Sequence, residues 1–133
     1  MKKTCILFVL LVVSLLAAVA ADGYAEATFA TRVHDFGVIR EEGGPVSYTF
    51  ELTNTGNKPL LILDVTASCG CTRPEYPTKP IKPGKKAAIK VTYSPLGRPG
   101  AFRKTLNVKT NGRERRQVLL IEGTAVPGKA KNK

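Results

Sequence analysis

The chain has 133 residues, 43% of them apolar, and a formal net charge of +11. That length supports one small domain with its own core, since domains of about 100–150 residues are the commonest, and it excludes a large multidomain enzyme. Twelve glycines, nine prolines and the shortage of long apolar runs beyond residue 21 exclude a helical bundle or a polytopic membrane protein.

The first element is an export signal over residues 1–21. Lys2 and Lys3 precede an apolar stretch from Cys5 to Ala20, broken only by Ser14, and small residues stand at Ala18, Ala20 and Ala21. Its 16 residues fall short of the roughly 20 that span a bilayer, so cleavage after Ala20 or Ala21 is expected. Cys5 opens the apolar run instead of following it at the cleavage site and cannot become a lipid-bearing N-terminal cysteine. Removing the signal leaves 112 residues with 19 Lys or Arg against 10 Asp or Glu, hence +9. It also leaves one cysteine pair, Cys69 and Cys71, in a periplasmic or extracellular compartment that permits disulfides.

Residues 22–27 are expected to form a flexible lead-in to a domain over 28–127. In that domain the apolar pattern has period two, the mark of strands with one buried face. Short candidate strands lie at 28–33 and 36–39. Val46, Tyr48, Phe50 and Leu52 then alternate with polar neighbours. The run 60–65 is nearly continuously apolar, which predicts a central strand covered on both sides or one at a crowded core. Ala87, Ile89, Val91 and Tyr93 alternate again, and Phe102, Leu106 and Val108 mark another inner face. A second continuous run spans 118–121. Turn signals at 43–45, 54–59, 82–84, 95–100 and 111–112 separate these segments, and no stretch has a period of 3.6. The pattern predicts an all-β antiparallel sandwich of about seven strands. Asn111 and Gly112 both tolerate positive φ and predict a tight turn pairing 106–110 with 117–122. With no Trp and no distant cysteine pair, apolar packing alone is expected to close the sheets. The tail, 128–133, is basic and expected to be disordered.

Several of these segments together carry a resemblance. They are Asp35-Phe36-Gly37, Asn54-Thr55-Gly56 with Pro59-Leu60 and Ile62, Ser68-Cys69-Gly70-Cys71-Thr72, Ile81-Lys82-Pro83-Gly84, and Gly100-Ala101-Phe102 with Lys104. In this order they are similar to the bacterial domain of unknown function 1573 family (DUF 1573), over about residues 28–127. The resemblance implies an exported immunoglobulin-like β-sandwich of Bacteroidetes type, related to the ASPM, SPD-2 and Hydin domains of cilia and centrosomes. It implies no activity and no cofactor. Phe36, Gly37, Asn54, Gly56, Gly70, Pro83 and Gly84 stand as its structural motif positions, with Phe36 expected to plug the sandwich base and Gly37 to permit a bend.

Chemistry is suggested only at Cys69-Gly70-Cys71. In an extended strand these α-carbons lie about 6.6–7 Å apart, so a disulfide requires the chain to bend, which Gly70 is expected to allow. Such a ring is very small, constrains the unfolded chain little and is expected to be reducible. Three readings stay open: a structural pair or bridge, a labile redox pair, and a thiolate site for a soft ion such as Cu(I) or Zn²⁺. Tetrahedral zinc needs two further ligands, and His34 is the single histidine. His34 itself reads as a solvated or half-buried packing residue. Asp35-Phe36-Gly37 also matches the magnesium motif of protein kinases, but no glycine-rich loop or catalytic loop accompanies it. Without a nucleophile elbow, zincin motif, phosphate loop or paired carboxylates, the chain reads as non-enzymatic.

The positive charge spreads over Lys85, Lys86, Arg103, Lys104, Arg113, Arg115, Arg116 and the tail. Nucleic-acid binding needs stacking aromatics on a basic face and is not expected here. Arg113, Arg115 and Arg116 are expected to protrude beside the 111–112 turn, able to touch an anionic envelope surface. The sequence thus favours a binding or scaffold module whose sheet edge or loops engage another envelope protein, with no small-molecule substrate identified. The alternative is a thiol redox or soft-metal-handling protein acting through Cys69 and Cys71.

Overall fold

The computed structural model describes residues 23–128. The export signal over 1–21 and all but the first residue of the 128–133 tail lie outside them. Eight strands follow one another: β1 (Ala27–Phe29), β2 (Val33–Arg40), β3 (Val46–Asn54), β4 (Ile62–Ala67), β5 (Thr72–Glu75), β6 (Lys86–Tyr93), β7 (Gly100–Thr110) and β8 (Arg116–Val126), with one 3-10 turn, Glu41–Gly43, after β2. They form two four-stranded sheets, ordered β1-β3-β6-β5 and β2-β8-β7-β4. All neighbours are antiparallel except β2 and β8, which are parallel because the chain crosses between sheets after β1. Among the described residues no helix is long and apolar enough to cross a membrane.

The alternating strands bury the expected side chains. Phe50, Leu52, Ile89, Val91, Tyr93, Leu106 and Val108 all lie between the sheets. Tyr93 of one sheet stacks on Phe102 of the other at 4.1 Å, and His34 stacks on Tyr48 at 3.7 Å with its edge side met by Phe36 at 4.6 Å. His34 is therefore a half-buried packing residue. Closure is not wholly apolar, contrary to expectation: Gln117 of β8 is buried and donates from Nε2 to the Ala27 carbonyl of β1 at 2.8 Å, tying one sheet to the other.

Other expectations need correction. The described residues hold eight strands against the seven or so expected; the additional one is β5, too short and too proline-marked to show a period. The apolar run at 60–65 does not form a central strand. Leu60 bridges to Ile81, and β4 is an edge strand with Leu63 turned outward. The register shifts between Ile62 and Asp64, so that Ile62 and Val65 are both buried while Leu63 and Asp64 between them are exposed. The run 118–121 does lie in a central strand, β8, but Val118 is 49% exposed, so that strand is covered on one face. Strands β7 and β8 pair with each other as expected, but 106–109 lie opposite 116–119 rather than 117–122, and the turn between them is longer than Asn111-Gly112 alone. The Thr110 N–H bonds to the Arg115 carbonyl at 3.0 Å, and neither Asn111 nor Gly112 has positive φ. The lead-in is also not loose. Tyr24 N–H donates to Asn57 Oδ1, Asn57 N–H returns to the Tyr24 carbonyl, and Ala25 and Ala27 are buried.

Candidate functional site

Four of the motif residues, Asn54, Gly56, Pro83 and Gly84, cluster at the end of the sandwich where loop 54–59 meets loop 81–85. Asn54 is fully buried. Its Oδ1 accepts from the Glu26 and Gly56 N–H groups at 3.3 and 3.0 Å, and its Nδ2 donates to the Lys58 and Ile81 carbonyls at 2.7 and 2.9 Å. One side chain thus bonds to four backbone groups of the adjoining turns, one of which, the Ile81 carbonyl, also accepts from the Leu60 N–H. Gly56 is required by close approach, because a Cβ there would run into the Tyr24 carbonyl. Pro83 and Gly84 form the turn closed by Lys85 N–H to the Lys82 carbonyl at 3.0 Å, with Gly84 at φ 77°. At the far side of the sandwich Gly37, at φ 68°, accompanies a break in the β2–β8 register, and its N–H bonds to Asp35 Oδ1 at 2.7 Å. Phe36 packs half-buried against the core. These positions are structural.

Cys69 and Cys71 lie in the bend from β4 to β5. Their sulfurs are bonded and their α-carbons are 5.2 Å apart, well inside the spacing of an extended strand. The bend is held by Ser68 N–H to the Thr105 carbonyl at 3.0 Å and Thr72 N–H to the Cys69 carbonyl at 3.2 Å. Gly70 is not what permits it, because its φ is not positive and a Cβ would meet nothing within 4 Å. Bonded to each other, the two sulfurs offer no thiolate to a soft cation. Among the described residues no group of three or more His, Cys, Asp or Glu could hold a metal ion.

From this bend the chain enters β5, which pairs with β6 from Thr72 opposite Tyr93 to Glu75 opposite Lys90. The Ser94 N–H bonds to the Cys71 carbonyl, and the Asn54 N–H on the other side bonds to the Lys85 carbonyl, each at 2.9 Å. Antiparallel alternation then directs the peptide groups of odd-numbered β6 residues to β3 and those of even-numbered ones to β5. Pro74 falls where β5 needs no N–H toward β6, so it fits an edge strand. After Glu75 the chain leaves the ladder, while β6 continues back to Lys86. The peptide groups of Lys86 and Ala88 therefore have no strand beside them.

The space thus opened is a groove of about 650 Å³ between residues 75–82 and β6. Its rim carries Lys79, Lys82, Lys85, Lys86 and Lys90, all exposed, against a single carboxylate, Glu75. Lys86 also pairs with Glu51 on β3 at 3.2 Å across an exposed face.

The three arginines of the 113–116 segment are not presented together. Arg113 lies over the Tyr24 ring at 4.2 Å and lines one recess with Arg115 and Lys58, whereas Arg116 lines another with Asp64, Asn107 and Lys109. Sequence reasoning missed the β6 groove. A signal was present: Pro74, Pro77, Pro80 and Pro83 recur every third residue with Lys79, Lys82 and Lys85 in one phase. Three residues is the period of an extended polyproline turn, which stacks such residues on one face.

Comparison with known proteins places this architecture. Residues 27–125 match the family model described as a protein of unknown function (DUF1573). No curated protein matches the chain. Among solved structures, a protein of unknown function from Porphyromonas gingivalis W83 matches with a TM-score of 0.63 at 16% identity, over 77% of this chain and 46% of that one. The ASH/PapD-like domain 7 of human CEP192 matches with a TM-score of 0.65 at 8% identity, over 80% and 89%. The VesB protease of Vibrio cholerae matches with a TM-score of 0.60 at 14% identity, over 75% and 31%. This chain thus spans about half of the P. gingivalis protein and about a third of the protease. At such identities the likeness establishes the fold, an immunoglobulin- and PapD-like sandwich. With its model matched across nearly the whole described domain, the chain belongs to the DUF1573 family of proteins of unknown function.

Proposed function

We propose that the chain is a non-enzymatic, exported binding module of the bacterial cell envelope that engages another protein along an open sheet edge. One observation carries this reading: β6 continues past the end of β5 and leaves the peptide groups of Lys86 and Ala88 facing a groove. Unpaired strand edges recruit extended segments of other chains, and proteins otherwise blunt them. Three of the other edge strands, β5, β1 and β2, have outward-facing groups taken, and β4 is the remaining edge. On β5, Pro74 removes an outward N–H and the Thr72 N–H is used by the Cys69 carbonyl. On β1 the Ala27 carbonyl is taken by Gln117, and on β2 the Thr31 hydroxyl caps Val33. The paired lysines and apolar stretch of residues 1–21 support export.

The test is photo-cross-linking in intact envelopes from a reactive side chain at Ala88, with Val118 on the outer face of the other sheet as control. One recurrent protein adduct from position 88 that is absent from 118 is the expected result. Identical adducts from both positions, or none, contradict the reading. Mass measurement of the exported chain after Ala20 or Ala21 checks the compartment.

A further inference from the structure

The register of the β5–β6 ladder says what kind of segment the bare edge accepts. Glu75 opposes Lys90, so a regular continuation of β5 would set Pro77 opposite Ala88 and Lys79 opposite Lys86. Neither placement works. Ala88 sits at a position where opposed residues exchange two N–H···O=C bonds, and Pro77 has no N–H to give. Lys79 would stand directly across from Lys86, like charge on like charge, which destabilises a cross-strand pair. The chain's own sequence therefore cannot complete the edge. A segment with an N–H opposite Ala88 and a carboxylate opposite Lys86 can.

We infer that the groove beside β6 takes an extended, acidic peptide segment, laid in line with β5 and antiparallel to β6. This rests on the edge-binding reading above and names its partner. The segment would exchange paired backbone hydrogen bonds with Ala88 and again with Lys86. Ala88, small and exposed between Lys86 and Lys90 on the outer face of β6, leaves room for the partner's side chains. A carboxylate opposite Lys86 would repeat the Glu75–Lys90 pair that already ends the ladder. Lys79 and Lys82 on the facing wall, with Lys85 at the entry to β6, would meet the carboxylates of the same segment. A second copy of the mature chain, at a formal +9 without residues 1–21, brings the wrong charge. An anionic lipid surface would meet the lysines but leave the peptide groups of Ala88 unpaired, so the peptide is the better fit.

The test uses the mature chain and a peptide of about ten residues alternating Glu and Thr, with a Gln-for-Glu peptide and anionic phospholipid vesicles as comparators. Exposed lysine–carboxylate pairs are individually weak, and several acting together should make the acidic peptide bind at least about tenfold tighter than the Gln peptide at low salt. That preference should collapse toward unity at about 0.5 M salt. It should vanish in Lys79→Gln/Lys82→Gln/Lys85→Gln/Lys86→Gln and persist in Arg113→Gln/Arg115→Gln/Arg116→Gln. All these side chains are exposed, and circular dichroism checks that each variant folds. Equal binding of both peptides overturns the acidic assignment while leaving edge binding in place. Binding of neither peptide overturns the assignment and the edge reading together. Binding to vesicles in preference to the acidic peptide, or a loss that follows the arginines, overturns the assignment in favour of a surface contact.

Discussion

Glu75 and Lys90 are the last opposed pair of the β5–β6 ladder, and the two positions that would follow on β5 are occupied by residues unable to continue it. Pro77 lacks the N–H that Ala88 needs, and Lys79 carries the charge that Lys86 repels. Those two side chains oppose continuation of β5, while the Leu60–Ile81 bridge holds the chain beyond them away from β6.

Correcting both side chains should close the groove. In Pro77→Thr/Lys79→Glu, β5 is expected to extend along β6, with the Ala88 amide becoming protected from exchange and acidic-peptide binding falling at least about tenfold. Unaltered Ala88 exchange in a folded variant would show that something other than these two residues ends the strand.

Asn54 joins β3 to both neighbouring turns through four hydrogen bonds made in a fully buried position. Truncation strands buried backbone groups and opens a cavity, each a recognised source of large losses. Asn54→Ala is expected to lower stability by about 2–4 kcal/mol, read from the urea midpoint. A loss under about 1 kcal/mol would mean that water replaces the amide fully.

The Cys69–Cys71 bridge closes a loop with a sequence separation of 2, so it removes little freedom from the unfolded chain. Cys69→Ala/Cys71→Ala is expected to cost about 1–2 kcal/mol and to leave peptide binding unchanged. Gly70→Ala should be nearly silent, since a Cβ there meets open space. Loss of partner capture with the fold intact would instead favour the thiol reading.

Burial raises the Tyr93 phenol above its ordinary value of 10.0, with the Arg98 guanidinium opposing in part. The folded state then holds this proton more tightly than the unfolded chain does. Its stability is fully present below about pH 10 and declines as pH rises through the folded value. Tyr93→Phe should keep the ring's stacking on Phe102 and flatten the alkaline decline in thermal-melting curves. An unchanged slope would place the alkaline sensitivity elsewhere.

Much of the sandwich was legible because period-two burial is written directly into 46–52, 87–93 and 102–108. The β-sandwich class follows from that alternation, and the pairing of β7 with β8, though not its register, from the turn signal at 111–112. What stayed hidden depends on which strand lies beside which. The run 60–65 read as a covered central strand or one at a crowded core; Leu60, Ile62 and Val65 do reach the core, but β4 begins only at Ile62, shifts register after it and lies at an edge. Gln117 looked like an ordinary polar residue until β1 came to lie across from it. Strand β5 has four residues, one of them proline, and carries no periodic signal. The lysines around it are visible in the sequence one by one, whereas the bare peptide edge between them exists only once β3, β5 and β6 are set in register. The pull of the Arg113–Arg116 segment as a basic cluster likewise dissolved when the turn divided its side chains between two recesses.

Amide hydrogen exchange along β6, followed by NMR with and without the acidic peptide, tests the central claim most directly. In the free protein the Ala87 and Ile89 amides, directed at β3, should exchange slowly, and those of Lys86 and Ala88 should exchange fast. Saturating peptide should slow Lys86 and Ala88 at least about tenfold while leaving Val118 on the opposite sheet unchanged. Fast exchange at Ala88 in the bound state would contradict strand addition at this edge, and slow exchange there in the free protein would contradict the open edge itself.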